Sequence, residues 1–160
     1  MNYYFAVSHL TQLSALEVHK LYKLRVDVFV HEQRTPYAEI DDIDAAPTTF
    51  HMQAWDAQKH LLATARLYPE DNRWHLGRVC VAQQYRGTGI GADTMKQTLR
   101  LAYEQDSSLD VFIEAQEQHL GFYEQLGFHR VGDTFDMDGV PHVPMVMKAG
   151  DVAKLFASQP

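Results

Sequence analysis

Three glycines at alternate positions, Gly87, Gly89 and Gly91, stand between the apolar run Val79-Cys80-Val81 and a long helical pattern that begins near Ile90. With no Cβ atoms along that edge, the backbone can approach a ligand closely. The helix that follows points its unpaired N–H groups and the positive end of its dipole at the same place. Strand, glycine turn and helix N-terminus in that order make a phosphate-binding site. The chain therefore has to build a strand–turn–helix unit, which puts it in the α/β class.

The glycines can be read in two ways. As G-x-G-x-x-A, Gly87, Gly89 and Ala92 match a dinucleotide-binding fingerprint, with Asp106 or Asp110 as the acidic residue downstream. That fingerprint places its first glycine almost directly after the strand, whereas Ala82 to Arg86 intervene here. As Q-x-x-G-x-G, Gln84, Gly87 and Gly89 match the pyrophosphate loop of acyl-CoA-dependent N-acyltransferases.

The upstream elements weigh on this choice. Residues 50–55 and 61–68 read as strands joined across Asp56-Ala57-Gln58-Lys59. A second turn, Pro69-Glu70-Asp71-Asn72, leads into a third strand over 74–81. Two short connections in succession make an antiparallel meander, because parallel strands need a crossover of about a dozen residues. A doubly wound nucleotide-binding sheet is disfavoured on that ground.

Elsewhere the pattern predicts a strand over 2–7 and a helix over 15–29, opened by the capping box Ser14-x-x-Glu17. A helix runs from the glycine loop to about residue 104, with Met95, Leu99, Ala102 and Tyr103 on its buried stripe. Val111-Phe112-Ile113 reads as a buried strand, which makes the unit around the loop a parallel βαβ crossover. A short helix over 117–126 stops at Gly127. Residues 128–135 and 141–147 close the chain as a hairpin across Met137-Asp138-Gly139. One domain over residues 1–150 is expected, with 151–160 as a weakly amphipathic or disordered tail.

Composition sets further limits. A net charge of −7 argues against a nucleic-acid partner, which would need a basic surface. No stretch approaches the roughly 20 apolar residues of a membrane span. The segment Met1 to Phe5 lacks the marks of a signal peptide, so a cytoplasmic location is expected. Cys80 is the single cysteine, and none of the 9 histidines falls in H-x-x-x-H or H-E-x-x-H spacing, so no metal is expected. The acids Glu39, Asp41, Asp42 and Asp44 read as a solvated loop face, with lining of a cationic acceptor's site as the alternative. Arg25 lies in an otherwise apolar helix face and needs a carboxylate, for which Asp41 and Asp44 are candidates.

In order and spacing, these elements resemble the GNAT superfamily of acyl-CoA N-acyltransferases. The Gln84-x-x-Gly87-x-Gly89 loop is matched by a second motif, Tyr123-x-x-x-Gly127-Phe128. The resemblance narrows to an ElaA-like branch on Leu24-Arg25-x-x-Val28-Phe29-Val30-x-Glu32-Gln33, Pro36-Tyr37-x-Glu39-Ile40-Asp41-x-x-Asp44, Gly77-Arg78-Val79, Ala115-Gln116 and Asp138-Gly139-x-Pro141-His142. It implies a GNAT fold: a mixed, mainly antiparallel sheet flanked by helices, with a parallel unit carrying the acyl-CoA loop. It also implies acetyl-CoA as co-substrate and a primary amine of a small-molecule or peptide acceptor; a homodimer is compatible with such a chain. A non-catalytic acyl-CoA-binding module is the alternative.

The same resemblance assigns the pyrophosphate to the N–H groups of Arg86, Gly87, Gly89 and Gly91, within a loop that includes Thr88 and Ile90. Backbone groups of Val79 and Val81, either side of Cys80, would meet the pantetheine arm. Gln116 stands where many members have Asn, and His119 where Ala is usual. Tyr123 is the expected general acid, since a phenol near pKa 10 stays protonated above a thiol near 8.5. Glu32, Glu114 and His142 are candidate bases, with a relaying water as the alternative.

Overall fold

The computed structural model of the chain describes residues 2–34 and 38–157. Pro36 and Tyr37 of the ElaA-like pattern lie outside the described residues, as do the last three of the tail. Strand β1 (Tyr4–Ser8) leads to helix α1 (Ala15–Arg25). The helix opens on the expected box: the Glu17 N–H donates to Ser14 Oγ at 3.1 Å, and the Ser14 N–H to Glu17 Oε1 at 2.8 Å. It does not run on as α-helix to residue 29. From Val26 to Glu32 the chain winds as a π-helix, and the Gln33 N–H reaches back to the Val28 carbonyl at 2.9 Å. Such wide turns gather at functional sites. Here the wide turn leaves Val28 packed with Cys80 and brings Phe29 to the wall of a cleft.

Strands β2 (Phe50–Trp55), β3 (Leu61–Glu70) and β4 (Arg73–Val81) form the antiparallel meander. β3 continues through Pro69 and Glu70, beyond the expected turn, because Asp71 and Asn72 alone make the reversal at φ 53° and 58°. Two left-handed central residues give a turn whose twist follows that of the strands. After the glycine loop come α2 (Ile90–Gln105) and β5 (Val111–Gln116), then α3 (Leu120–Leu126). The closing segment holds β6 (His129–Arg130), β7 (Phe135–Met137), β8 (Val140–Met147) and α4 (Ala149–Phe156).

The sheet runs β1-β2-β3-β4-β5-β8-β6, with β7 also on β8. The strand expected over 128–135 is thus two short ones. The Pro144 carbonyl accepts from the Val131 N–H at 3.0 Å, so the proline nitrogen faces the same edge and has no hydrogen to offer there. One sheet face carries the main core: Met52, Leu67, Trp74, Ile113 and Met145 pack with Met95 and Leu99 of α2. The tail joins this core, as α4 buries Val152 and Phe156 with Phe156 beside Tyr103. No helix among the described residues is long and apolar enough to cross a membrane.

What positions the site is a failure of pairing. β4 and β5 are parallel, with Trp74 opposite Val111 and His75 opposite Phe112. Beyond His75 the register of β4 on β3 shifts, and Arg78 sits there in the left-handed region at φ 51°. A bulge of this kind bends its strand. From the bulge to Val81, β4 keeps its partner β3 but parts from β5, leaving a wedge in the sheet.

Candidate active site

The wedge ends at the glycine loop. Gly87 and Gly89 have φ of 78° and 87°, and a Cβ on either would meet no atom within 4 Å. The backbone there is both left-handed and open to approach. Gly89 is the N-cap of α2 and, having no side chain, leaves the first N–H groups of the helix uncapped. Thr88 is turned away, its hydroxyl donating to the Tyr85 carbonyl at 2.5 Å. Ile90 is fully buried, and a Cβ on Gly91 would lie 3.4 Å from Val81 Cγ2, so these two seat the helix against β4.

Cys80 faces inward against Val28 and Phe29, and burial pushes its thiol up to about 12. The Cys80 side chain is therefore closed to a ligand in the wedge, while Val79 and Val81 are half-buried. At Val81 the carbonyl already accepts from Nε and Nη2 of Arg86, both at 3.2 Å. The same guanidinium pairs with Glu32 at the end of the π-helix. A clasp thus spans the wedge from the loop to the first helix.

Beside the wedge lies a cleft of about 140 Å³ that brings together Val79, Gln116, His119, Tyr123 and His142 of the expected site. Tyr123 is placed by the chain that follows it. The Gly127 N–H donates to Glu124 O and the Phe128 N–H to Tyr123 O, each at 3.1 Å, with Gly127 at φ 114°. This is a Schellman closure, and the Phe128 ring meets the Tyr123 ring edge-on at 6.1 Å as its usual hydrophobic contact. The Tyr-x-x-x-Gly-Phe motif is thus a helix stop that fixes the direction of one phenol. Burial pushes that phenol up to about 12.

The candidate bases separate. Glu32 lines a neighbouring cleft, and its hydrogen bond to Arg86 holds the carboxylate below its usual range, which suits it poorly to take a proton. His142 is buried beside Gln116, its Nδ1 2.8 Å from the Val140 carbonyl. Glu114 is exposed on the cleft wall. Gln116 accepts from Gln118 at 2.8 Å and donates to Gln33 Oε1 at 2.9 Å, so it bridges β5 to the end of the π-helix. Burial lowers the pKa of His119.

The acidic loop is not a solvated face. Glu39 and Asp44 are 4% and 0% exposed, Asp41 is half-buried, and of the four acids only Asp42 is exposed. Arg25 binds Asp44 at 2.6 Å and Glu39 at 2.9 Å, rather than Asp41. Asp41 instead takes Arg66 at 2.8 Å and Arg78 at 3.5 Å, while Arg66 also reaches Asp44 at 3.1 Å and Arg78 reaches Glu39 at 3.2 Å. Three guanidinium groups meet three carboxylates, so among the described residues only Asp42 of the four acids is left without an ion pair. Alternation along β3 and β4 could have flagged Arg66 and Arg78, but nothing local ties them to residues 39–44.

A family model described as an acetyltransferase (GNAT) domain matches residues 13–149. The chain belongs to the GNAT acetyltransferase family. Protein ElaA of Escherichia coli is 33% identical over 140 residues, covering 86% of this chain and 91% of that protein. The crystal structure of Escherichia coli ElaA superposes with a TM-score of 0.85 at 31% identity, over 92% of this chain and 100% of the other. An acyl-CoA N-acyltransferase from Pseudomonas aeruginosa gives 0.84 at 30% identity, over 91% and 99%. The expected GNAT fold, a mixed and mainly antiparallel sheet with one parallel pair, is the fold observed. This GNAT protein is an acyl-CoA N-acyltransferase, and the dinucleotide-binding reading of Gly87 and Gly89 falls.

Proposed function

We propose that the protein transfers an acetyl group from acetyl-CoA directly to a primary amine of a small molecule, with Tyr123 as general acid. The wedge between β4 and β5 carries this reading, because it leads from an open helix N-terminus at Gly89 to the cleft that holds the half-buried phenol of Tyr123. The residues fit such a co-substrate at each point. Backbone N–H groups at Gly87, Gly89 and Gly91 suit a pyrophosphate. The β5-facing edge of Val79 and Val81 offers main-chain groups to the amides of a pantetheine arm, much as an exposed strand accepts an added one. Gln116 stands across the wedge, tied to Gln33.

Tyr123 then protonates the departing thiolate: its high pKa keeps the phenol protonated at neutral pH, and the phenolate left behind, a stronger base than a thiolate of pKa near 8.5, regains its proton from solvent. With Glu32 engaged by Arg86, the amine's proton goes to His142, to Glu114 or to water.

A thermal-shift comparison of acetyl-CoA, CoA and NADH tests the reading. A ligand at 100 times its dissociation constant adds about 2.7 kcal/mol, which raises the melting point of a chain this size by roughly 5–10 °C. Both CoA species are expected to give that shift, and acetyl-CoA with an amine panel to release thiol. A shift with NADH alone, or none at all, would overturn the proposal; binding without thiol release would leave an acyl-CoA sensor.

A further inference from the structure

We infer that a notch at Gly77, between Glu114 and a wall of three rings, holds the acceptor, and that the acceptor is a cationic primary amine on a flat apolar skeleton. This rests on the acyl-transfer reading above. Gly77 lies within β4, and its φ is not in the left-handed region, so backbone conformation does not demand a glycine there. A Cβ on it would meet nothing within 4 Å. Glycine inside a strand weakens it and often marks the close approach of a ligand. The space that Gly77 leaves opens into the cleft that contains Tyr123.

The wall is built by register. Tyr68 of β3, His75 of β4 and Phe112 of β5 stand side by side on one sheet face. Tyr68 and His75 stack at 5.1 Å with 12° between planes, and His75 meets Phe112 edge-on at 5.3 Å. All three rings are half-buried in the cleft wall, a surface that suits a flat apolar group.

Charge selects the other end of the acceptor. Arg66 and Arg78 line the cleft, but Glu39, Asp41 and Asp44 already meet them. Arg73 stacks its guanidinium on Phe112 at 3.8 Å, at the end of the wall away from Glu114. Glu114, two residues along β5 from Phe112, has no ion pair or hydrogen bond among the described residues. The unmatched charge facing the notch is therefore negative. It draws an ammonium and repels an acceptor that carries a carboxylate beside its amine.

Thiol release from acetyl-CoA would be measured with phenethylamine, butylamine and phenylalanine, alongside calorimetric binding of acetyl-CoA. Phenethylamine should exceed each of the others in kcat/KM by about tenfold or more. Glu114→Gln should raise its KM about tenfold with unchanged acetyl-CoA affinity. Gly77→Val should abolish amine turnover at an unchanged melting point, and Phe112→Ala should erase the preference over butylamine. Failure of the wild-type protein to bind acetyl-CoA would sink the acyl-transfer reading itself. If acetyl-CoA binds, then equal rates for the three amines, turnover of none, or an unchanged KM in Glu114→Gln would overturn the acceptor assignment.

Discussion

The Tyr123 side chain is held by packing, its ring between Phe122 and Phe128 and its hydroxyl without a hydrogen-bond partner among the described residues. Removing the hydroxyl therefore disturbs no other contact. Tyr123→Phe should lower kcat by about 10²–10⁴ while acetyl-CoA affinity stays as it was. In its proposed role as general acid Tyr123 works while protonated, so its contribution should be lost only as pH rises through about 12. The wild-type rate should show no alkaline fall between pH 6 and 10 that Tyr123→Phe removes; steady-state profiles of both proteins decide this. Cys80 gives a second check. With its thiol buried and raised to about 12, a disulfide reagent at pH 8 should label it only after unfolding. Tyr123 and the loop glycines were legible in the sequence because each needs a particular residue at a fixed step along the chain. The Arg66–Asp41 pair was not, because its partners meet only after the sheet has formed.

Among the elements, α3 shows how a motif can be structural and functional at once. At φ 114°, and with Met147 Cε 3.3 Å from where its Cβ would go, Gly127 tolerates no side chain without strain. Gly127→Ala should cost about 1–3 kcal/mol in urea denaturation. It should also lower kcat more than it weakens acetyl-CoA binding, since the Schellman closure aims Tyr123. The sequence pattern located β2 at its observed bounds of 50–55, and the apolar run Val111-Phe112-Ile113 marked the first half of β5, as short apolar runs between turn signals suit buried strands. The π-helix was out of reach, because its pitch follows from packing Val28 on Cys80 while Phe29 turns to the cleft. So was α4, whose short pattern depends on Val152 and Phe156 finding α2. Phe156→Ala should destabilise the protein by about 3–5 kcal/mol, which would show that the last helix belongs to the core.

Across the whole molecule, the six-charge cluster joins α1, the loop at 39–44, β3 and the β4 bulge into one body behind the cleft. Breaking a buried pair from one side strands a charge, so Arg25→Ala should cost about 3–5 kcal/mol. Burial works against the Asp44 carboxylate, but the hydrogen bonds and charge of Arg25, together with the charge of Arg66 and the Asp41 N–H, outweigh it and hold its pKa below the usual value. That stabilisation is present above about pH 4 and is lost as pH falls through the lower folded value. Asp44→Asn should therefore flatten the stability curve below about pH 4, as acid titration of urea midpoints would show. The sheet itself is two panels, β1–β4 and β5–β8, stitched by the Trp74–Val111 and His75–Phe112 pairs. An internal seam of unpaired backbone is as sticky as an outer edge strand. Whatever fills the wedge supplies the absent stitches, so the protein's shelf life and resistance to clumping should follow how much of its co-substrate the surroundings contain.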